Sequence, residues 1–419
     1  MLSKTRLLHY EPEALESDAD ICNGNNLRIS QVDGTLRTIG RGVISSTTLT
    51  CISIQNNDIE SVAPGAFDDV PNLKYLNLHE NKINLRNLFN SGGHMNLRQL
   101  ILSNQNWFEG STDCIYYSEP FVIDNYPELR YLDLKKTGIC SLSYDLENSV
   151  PKLTTLDLSN NNIVKLPTLP KSLRHLYLDG NKIPTPNLMN LYNLTTLTLD
   201  NNGIEYVSAG HCQICLNLSS MSNLRYFSLA SNPIKTIHSI SFRDMINLKY
   251  LNLSSNTLNT IKYGTFDSLL SLEILVLDHN SLNTVPPINT TLNVSTLSMN
   301  CNRVGSLSVN DFRNLPNLQK LFLSDNMISD VHTDVFANQE SLEELHLDGN
   351  LLSHLPPGWH QPLNSLRYLD LSGNMFTSLM PVLYSEDLPL RELYSNDFDC
   401  IVKRVRLILT FNQYLFVYV

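Results

Sequence analysis

The chain lacks several features that mark common classes of protein. Charged residues make up only 17% of its 419 residues, and Gly and Pro number 17 and 19, which excludes a disordered chain, a collagen and a low-complexity linker. Thirty basic residues stand against 41 acidic ones, and the net charge of −11 argues against non-specific nucleic-acid binding, which needs clustered cations. No apolar run reaches the 18 residues that a membrane span requires.

Motifs that carry enzyme chemistry are also absent from the sequence. There is no Gly-x-Ser-x-Gly turn, no phosphate-binding P-loop and no His-Glu-x-x-His zinc motif. A single Cys-x-x-Cys occurs at Cys212 and Cys215, but no second ligand pair accompanies it, so a structural disulfide is favoured over a redox or zinc site. The sequence therefore predicts a protein that is not an enzyme, with no catalytic residues, no cofactor and no metal site.

What the sequence has in abundance is leucine and asparagine at regular spacing. The pattern Leu-x-x-Leu-x-Leu-x-x-Asn-x-Leu/Ile recurs, for example as LKYLNLHENKI from residue 73 and LQKLFLSDNMI from residue 318. Fourteen copies at a nearly constant period begin at residues 49, 73, 97, 129, 153, 173, 194, 224, 248, 272, 294, 318, 342 and 366, and a degenerate copy begins at Leu390. Such a period predicts an array of stacked leucine-rich repeats.

Each copy predicts one short strand whose two central leucines point inward, because alternate residues of a strand face opposite sides. One repeat cannot bury its leucines alone, so successive repeats stack and their strands form a parallel sheet. We predict an α/β solenoid, a leucine-rich-repeat horseshoe with the sheet on its concave face and loops, 3-10 turns and short helices on its convex side. Residues 1–48 are then an N-terminal capping segment, residues 49–389 the repeat array, and residues 390–419 a degenerate last repeat with a truncated C-terminal cap.

An asparagine follows each strand where the chain turns away. Its amide both donates and accepts, so it can pair with the buried backbone groups of that turn. The predicted asparagine ladder consists of Asn57, Asn81, Asn161, Asn181, Asn202, Asn232, Asn256, Asn280, Asn302, Asn326, Asn350 and Asn374. Gln105 and Thr137 replace the asparagine in two consecutive copies, and we predict that the ladder breaks at both. The phenylalanines expected to close the core from the convex side are Phe67, Phe242, Phe266, Phe312 and Phe336.

The positions of the cysteines favour structural disulfides. Cys114 lies in the longest repeat and Cys140 lies just past the next strand. Because neighbouring repeats bring such residues close together, we predict a disulfide between these two. Cys22 and Cys51 are expected to tie the N-terminal segment to the first strand, which would close an exposed sheet edge. Cys301 precedes its ladder asparagine and is expected to be a packed free thiol.

The repeats resemble the typical subfamily of extracellular leucine-rich-repeat proteins. Within it, the chain is similar to Toll-like receptor ectodomains and to the secreted leucine-rich immune proteins of insects. The segment LRELYSNDFDC (390–400) resembles the start of the cysteine-rich C-terminal cap of these proteins, through Asn396, Phe398 and Cys400. The other cysteines of that cap are absent, and no coiled coil follows. The resemblance is specific for the fold and does not identify a ligand.

The sequence gives mixed signals about the compartment. N-glycosylation sequons occur at Asn193, Asn217, Asn252, Asn289 and Asn293. Repeats rich in asparagine also create sequons by accident, and the opening segment MLSKTRLLHYEPEALESDAD lacks the apolar core of a signal peptide. We predict a secreted or extracellular protein whose true signal sequence is not visible at this start. A cytosolic repeat protein is the alternative.

The outward strand positions of the predicted sheet are rich in tyrosine and aspartate. Tyrosine is typical of recognition surfaces and the excess of acids favours a basic partner, although both residues are also common consensus choices at these positions. Three irregularities converge on the third to sixth repeats: the broken ladder, an aromatic-rich insert at residues 105–128, and Asp133 stacked beside Asp157. A tolerated insertion with solvated aspartates is the competing interpretation. The predicted ligand-binding residues are Tyr131, Asp133, Lys135, Asp157, His175, Tyr177, Asp179 and Asp200.

These features predict a non-catalytic recognition protein that binds another protein or a microbial surface ligand. The resemblance implies a role in innate immunity. Two other functions stay open, a constitutive cell-adhesion or matrix-type protein and an intracellular repeat scaffold. We expect neither a nucleic-acid partner nor a membrane span, and both a homo-oligomer and a hetero-oligomer are compatible with the fold.

Overall fold

The computed structural model describes residues 22, 25–29, 36–89, 93–105, 122–123, 125–142, 145–208, 214–377, 388–395, 405–409 and 415–418. Most of the predicted aromatic insert lies outside the described residues, as do Cys114, Cys212 and the cap residues Asn396, Phe398 and Cys400. The chain divides into two compact units, Met1–Asn202 and Gly203–Val419, here called the N-terminal unit and the C-terminal unit.

Short parallel strands in strict register form the main sheet of the N-terminal unit. In spatial order they are β1 (Asn26–Arg28), β3 (Cys51–Ser53), β5 (Tyr75–Asn77), β6 (Gln99–Ile101), β7 (Tyr131–Asp133), β8 (Thr155–Asp157), β9 (His175–Tyr177) and β10 (Thr196–Thr198). A second parallel sheet pairs β2 (Thr38–Ile39) with β4 (Ser61–Val62). The described helices of this unit are short, α1 (Leu85–Phe89) and α2 (Leu146–Ser149).

The C-terminal unit repeats the same architecture. Its main sheet runs β13 (Tyr226–Ser228), β15 (Tyr250–Asn252), β16 (Ile274–Val276), β17 (Thr296–Ser298), β19 (Lys320–Phe322), β21 (Glu344–His346), β22 (Tyr368–Asp370) and β23 (Glu392–Ser395), all parallel. The strands β24 (Val405–Leu409) and β25 (Leu415–Tyr418) continue it antiparallel. Smaller parallel sheets join β11 (Tyr206–Ser208) with β12 (Leu216–Asn217) and β14 (Thr236–Ile237), and β18 (Ser306–Leu307) with β20 (Asp330–Val331).

Every predicted copy from residue 49 to residue 366 therefore supplies one strand of a main sheet, as expected for a leucine-rich-repeat solenoid of about fourteen turns. The degenerate copy at Leu390 supplies a further parallel strand, β23. Across the described part of the chain, no helix combines the length and the apolar character needed to cross a bilayer. Within the described residues, the segments between the strands are mostly turns and extended stretches.

The core of each repeat is closed from two sides. On the sheet side the central leucines, such as Leu132 and Leu134, are fully buried, which is the alternation that the strand period predicts. On the other side phenylalanines from neighbouring repeats stack, with ring centroids 6.2 Å apart for Phe242 and Phe266. Phe67, in the first repeat, is only partly buried, so the predicted role in closing the core holds for the later phenylalanines.

The ladder asparagines join successive repeats through shared backbone carbonyls. Asn326 donates from Nδ2 to Met299 O at 2.9 Å in the preceding repeat and to Leu323 O at 3.1 Å in its own, while its Oδ1 accepts the N–H of Val304 at 3.1 Å. Leu323 O also accepts from Asn350 of the following repeat at 2.9 Å. Leu323 O is therefore bonded by two asparagines, which uses both of its lone pairs.

The two predicted breaks in the ladder differ in the structure. Gln105 donates to Leu78 O at 2.8 Å and accepts the N–H of Ile83 at 3.0 Å, so the longer amide makes the bonds of an asparagine. The prediction of a break at Gln105 is therefore wrong. At Thr137 the hydroxyl donates to Leu134 O at 2.7 Å and forms no bond to the described residues of the preceding repeat, because a hydroxyl has one donor.

A disulfide joins Cys22 to Cys51, with Cα atoms 5.5 Å apart. It fixes the chain beside β1, which pairs in parallel with β3, so this edge of the sheet is covered as the sequence predicts. Cys140 is also disulfide-bonded, and its predicted pairing with Cys114 stays a prediction because Cys114 lies outside the described residues. Cys301 is a partly buried free thiol, which confirms the prediction.

Candidate functional site

The side chains that alternate with the buried leucines stand on the outward face of the N-terminal sheet. Strict register places Asp133 beside Asp157 and Asp157 beside Tyr177. Neighbouring strands lie about 4.8 Å apart, so Asp157 is in reach of both Asp133 and Tyr177. The predicted ligand-binding residues lie on β7–β9 or in the turns that follow β7, β9 and β10, and we call them the acidic face: Tyr131, Asp133, Lys135, Asp157, His175, Tyr177, Asp179 and Asp200.

Asp133 is held by fixed donors. The Ser103 hydroxyl donates to its Oδ2 at 2.6 Å, and the backbone N–H of Lys135 donates to its Oδ1 at 2.9 Å. His79 Nδ1 lies 2.8 Å from the same Ser103 hydroxyl, which extends the network by one strand. Because Asp133 is only 9% exposed and both oxygens are bonded, its position on the face is fixed.

The surroundings of Asp157 disfavour the charge of its carboxylate. Its Oδ1 accepts the N–H of Ser159 at 2.8 Å. Burial is the main cause that raises the pKa of the Asp157 carboxyl; the neighbouring charge of Asp133 raises it further, and the ammonium of Lys135 lowers it. The ionised carboxylate is therefore poorly solvated where it lies, and a cation brought to this face would stabilise it.

Asp179 has the same character one repeat further on. Thr198 Oγ1 donates to its Oδ2 at 2.7 Å and the N–H of Asp200 donates to its Oδ1 at 2.8 Å. Burial again raises the pKa of the Asp179 carboxyl, and Lys135 lowers it. Lys135 thus acts on two carboxylates at a distance, and it forms no ion pair within 4.0 Å of any carboxylate in the described ranges. The acidic face keeps an excess of negative charge.

Aromatic rings border these carboxylates. Burial is the largest cause that raises the pKa of Tyr131 and of Tyr177, so both phenols are neutral and can donate at physiological pH. His175 Nδ1 lies 3.1 Å from Thr196 Oγ1, and this hydrogen bond fixes the imidazole plane across the strands. The face therefore combines partly buried acids with rigid rings, which is the composition of a surface that recognises cationic side chains.

We expect Asp157→Asn to raise the free energy of unfolding at pH 7 by up to about 1 kcal/mol. The amide keeps an acceptor for the Ser159 N–H and removes a partly buried charge. Because the pKa of Asp157 is higher in the folded state than in the unfolded chain, its ionisation costs stability at neutral pH. That cost shrinks as pH falls through the folded pKa and is lost below the ordinary value of 3.8, where both states are protonated.

Chemical denaturation of the wild type and the Asp157→Asn variant at pH 7 and near pH 4 measures this difference. Asp334→Asn is the control, since its side chain is 66% exposed, and we expect no change from it. A variant less stable than the wild type at pH 7, or a difference that does not shrink in acid, would contradict the expectation.

The C-terminal unit carries a row of aromatic rings whose residues are not among the predicted ligand-binding residues. Ring centroids lie 4.7 Å apart for Phe322 and His346, 4.6 Å apart for His346 and Tyr368, and 5.2 Å apart for Tyr368 and Tyr394. These rings come from the consecutive strands β19, β21, β22 and β23. Tyr368 occupies a different strand position from the other three, so periodicity alone did not align the row.

Charged groups surround the His346 ring. Its Nε2 lies 3.1 Å from Glu344 Oε1, and Lys320 Nζ lies 2.9 Å from the other oxygen of that carboxylate. The hydrogen bond with His346 is the main cause that lowers the pKa of Glu344 to about 2, and Lys320 adds to it. Ligand atoms of His346, Asp348 and Asp370 all lie within 4.8 Å of one another, so these three residues can hold a metal ion.

The five predicted sequons differ in accessibility. Asn193, Asn289 and Asn293 are exposed, whereas Asn217 and Asn252 are partly buried. Asn252 ends β15, and its Oδ1 accepts the N–H of the residue two positions on at 2.9 Å. A glycan on Asn252 would cover part of the outward face of the C-terminal unit. Glycosylation at all five sites stays a prediction.

A small cavity opens at the start of the N-terminal sheet. Its volume is about 120 Å³, and Arg28, Gln55 and Tyr75 line it beside the Cys22–Cys51 disulfide. Pockets that enclose a small-molecule substrate usually measure about 300–1,000 Å³. The cavity is therefore too small for such a ligand, and the open sheet faces are the better candidates for binding.

Known proteins share this architecture. The family model described as leucine rich repeat matches more than half of the chain, over residues 47–106, 127–183, 222–282, 292–352 and 328–376. Fibromodulin of Bos taurus is 28% identical over 183 residues, which are 41% of this chain and 46% of fibromodulin. The chain thus spans less than half the length of that relative.

Solved structures similar to the chain include proteins in complexes. Mouse RP105, in its complex with MD-1, matches with a TM-score of 0.57 and 21% identity, over 86% of this chain and 68% of that one. TLR13, in its complex with ssRNA13, matches with a TM-score of 0.46 and 19% identity, over 82% and 58%. Identities this low show a shared fold and leave the ligand open.

Proposed function

Because this chain belongs to the leucine-rich repeat family, we propose that it is a non-catalytic recognition protein that binds another protein or a microbial surface ligand. The acidic face of the N-terminal unit is the proposed contact surface. The observation that carries the proposal is the strict strand register that sets Asp157 between Asp133 and Tyr177, with a further carboxylate, Asp179, in the turn after the next strand. Fixed donors hold Asp157 and Asp179 in place although burial disfavours their charge, which local function would explain.

The chemistry of this face favours a partner with basic side chains. Two ionised acids in a partly desolvated place attract a cation more strongly than solvated acids do, because the effective dielectric constant is lower there. A guanidinium group suits the site best, since it bonds carboxylates in pairs and stacks on rings such as Tyr131 and Tyr177. Lys135 would limit the number of cations accepted and so contribute to specificity.

A secreted or extracellular location is part of the proposal. The Cys22–Cys51 disulfide and the disulfide-bonded Cys140 are expected in an oxidising compartment, which disfavours an intracellular scaffold. Exposed sequons at Asn193, Asn289 and Asn293 are compatible with it. The proposed organisation keeps residues 1–48 as a capping segment, residues 49–389 as the array and residues 390–419 as its degenerate end.

Two biological settings fit this recognition function. The resemblance of the repeats to Toll-like receptor ectodomains is the ground for proposing a role in innate immunity, where the ligand would be a protein or a microbial surface molecule. The similarity to fibromodulin supports the alternative, a constitutive adhesion or matrix-type protein. Induction of the transcript on infection would favour the first setting, and constant expression in uninfected tissue would favour the second.

The binding surface is tested with a partner identified by affinity purification of the natively secreted protein. We expect the double variant Asp157→Asn with Asp179→Asn to weaken binding of that partner by at least about tenfold. The matched control is Asp278→Asn in the C-terminal unit. Burial raises the pKa of Asp278 as well, and Ser298 Oγ donates to it at 2.7 Å.

Surface plasmon resonance at two salt concentrations measures both effects. Binding through the acidic face should weaken as salt rises, because the contacts are ionic. An equal loss from the double variant and from Asp278→Asn, or no loss from the double variant, would show that the acidic face is not the contact surface.

A further inference from the structure

Three metal-ligating side chains converge on the outward face of the C-terminal unit. His346 ends β21, Asp348 follows in the next turn, and Asp370 ends the adjacent strand β22. One ligand atom from each lies within 4.8 Å of the other two. The side chains of His346 and Asp348 are 17% and 21% exposed, and Asp370 is 4% exposed. The cluster is thus largely desolvated and open on one side.

Glu344 orients the imidazole toward the aspartates. His346 Nε2 lies 3.1 Å from Glu344 Oε1, and Lys320 fixes that carboxylate from its other oxygen at 2.9 Å. The proton therefore lies on Nε2, and Nδ1 faces Asp348 Oδ1 across 3.9 Å, which is too long for a hydrogen bond. A carboxylate that accepts the far N–H of an imidazole is the usual outer partner of a metal-bound histidine.

Hydrogen bonds also fix the two aspartates. Asp370 Oδ1 accepts the N–H and the hydroxyl of Ser372 at 3.0 and 2.6 Å, and Asp348 Oδ1 accepts the Ser324 hydroxyl at 2.5 Å. Each carboxylate keeps lone pairs that these bonds do not use. Two carboxylates in one desolvated place repel each other unless positive charge lies between them.

We propose that His346, Asp348 and Asp370 bind a divalent first-row transition ion, with Zn²⁺ the best match. One imidazole nitrogen and two carboxylate oxygens are Zn²⁺ ligands, whereas Mg²⁺ and Ca²⁺ take oxygen ligands. Tetrahedral bonds of about 2.0–2.2 Å place ligand atoms about 3.3 Å apart. On binding the ion, any two of these ligand atoms would therefore approach each other by about 1.5 Å at most. The open fourth position faces away from the sheet and takes water or a donor atom of a partner.

The sequence alone predicted no metal site because no spacing motif marks this one. His346 and Asp348 come from one repeat, separated by a single leucine, and Asp370 comes from the next repeat. Only the strict register of β21 with β22 brings the three together. The site is also independent of the acidic face, which lies in the other unit, so either can fail its test without the other.

Isothermal titration calorimetry of the full chain with ZnCl₂, after removal of metal with EDTA and dialysis, tests the site. We expect one site in the wild type that His346→Gln abolishes or weakens by at least about tenfold. Glu344→Gln, which changes a positioning residue, should weaken it by about 10- to 100-fold. The matched control is His354→Gln, which removes an exposed imidazole of the same unit and should leave Zn²⁺ affinity unchanged.

Two further readouts separate this site from other ligands and from loss of folding. Zn²⁺ should raise the Tm of the wild type and of His354→Gln but not that of His346→Gln, whose unfolding must stay cooperative without metal. With Co²⁺ as the probe, absorption bands of nitrogen and oxygen ligands should appear and disappear in His346→Gln. The proposal would be overturned if the wild type bound no Zn²⁺ or if all variants bound it with equal affinity. A thiolate-to-Co²⁺ band, which would place the ion at a cysteine, would also overturn it.

Discussion

Replacing Phe336 with alanine is expected to lower the free energy of unfolding by about 3–5 kcal/mol. Phe336 is fully buried, its ring stacks on Phe312 with centroids 5.9 Å apart, and Trp359 meets its edge at 6.1 Å. Alanine would leave a cavity that neighbours in two other repeats line. Both neighbours are themselves buried in turns of their own repeats, so the cavity can collapse only in part, and the loss should reach the upper part of the range.

Urea denaturation followed by circular dichroism measures the free energy of unfolding. The dependence of that free energy on urea concentration is compared between the wild type and the variant. Tyr263→Ala is the control, because this large ring is 74% exposed, and we expect a change within about 0.5 kcal/mol. A loss of less than about 1 kcal/mol in Phe336→Ala would show that the phenylalanine stack does not hold the repeats together.

The second large effect is expected for Asn326→Ala, with a loss of about 2–4 kcal/mol. The alanine leaves the N–H of Val304 buried without its acceptor, and such an orphan group costs about 1–3 kcal/mol. Met299 O and Leu323 O each lose one donor but keep another, from Asn302 and Asn350. The largest part of the loss therefore comes from the single unpaired N–H.

Two variants check that interpretation in the same denaturation experiment. Asn338→Ala removes one exposed hydrogen bond, 2.9 Å to Arg313 O, and should cost less than about 1 kcal/mol. Asn326→Gln tests whether the longer amide of Gln105 works at any rung, and we expect it to recover part of the loss. If Asn326→Ala and Asn338→Ala cost the same, the ladder contributes no more than a surface bond.

Much of the fold follows from the sequence because every repeat predicts the same short strand at the same position. Leu132 and Leu134 flank a single residue, so a strand must turn both to one side, and copies at a constant period must align them in register. The same argument predicts Asp133 beside Asp157, and the register of β7 with β8 confirms it. The outward position of the acidic face was therefore predictable, although its function remains a proposal.

Tertiary structure decided the features that depend on how far a side chain reaches. Gln105 keeps the ladder and Thr137 does not, because an amide spans to the preceding repeat and a hydroxyl cannot. In the sequence, Gln105 and Thr137 both simply replace the consensus asparagine.

The state of each carboxylate was likewise settled by neighbours that the pattern leaves variable. The Asp133 carboxylate accepts from Ser103 of another repeat, and the Asp157 carboxylate accepts from Ser159 of its own repeat. The approach of His346 to Asp370 also arises between repeats, at positions the consensus does not constrain. Periodicity determines which face a side chain occupies, and the packing of adjacent turns determines which atoms it meets there.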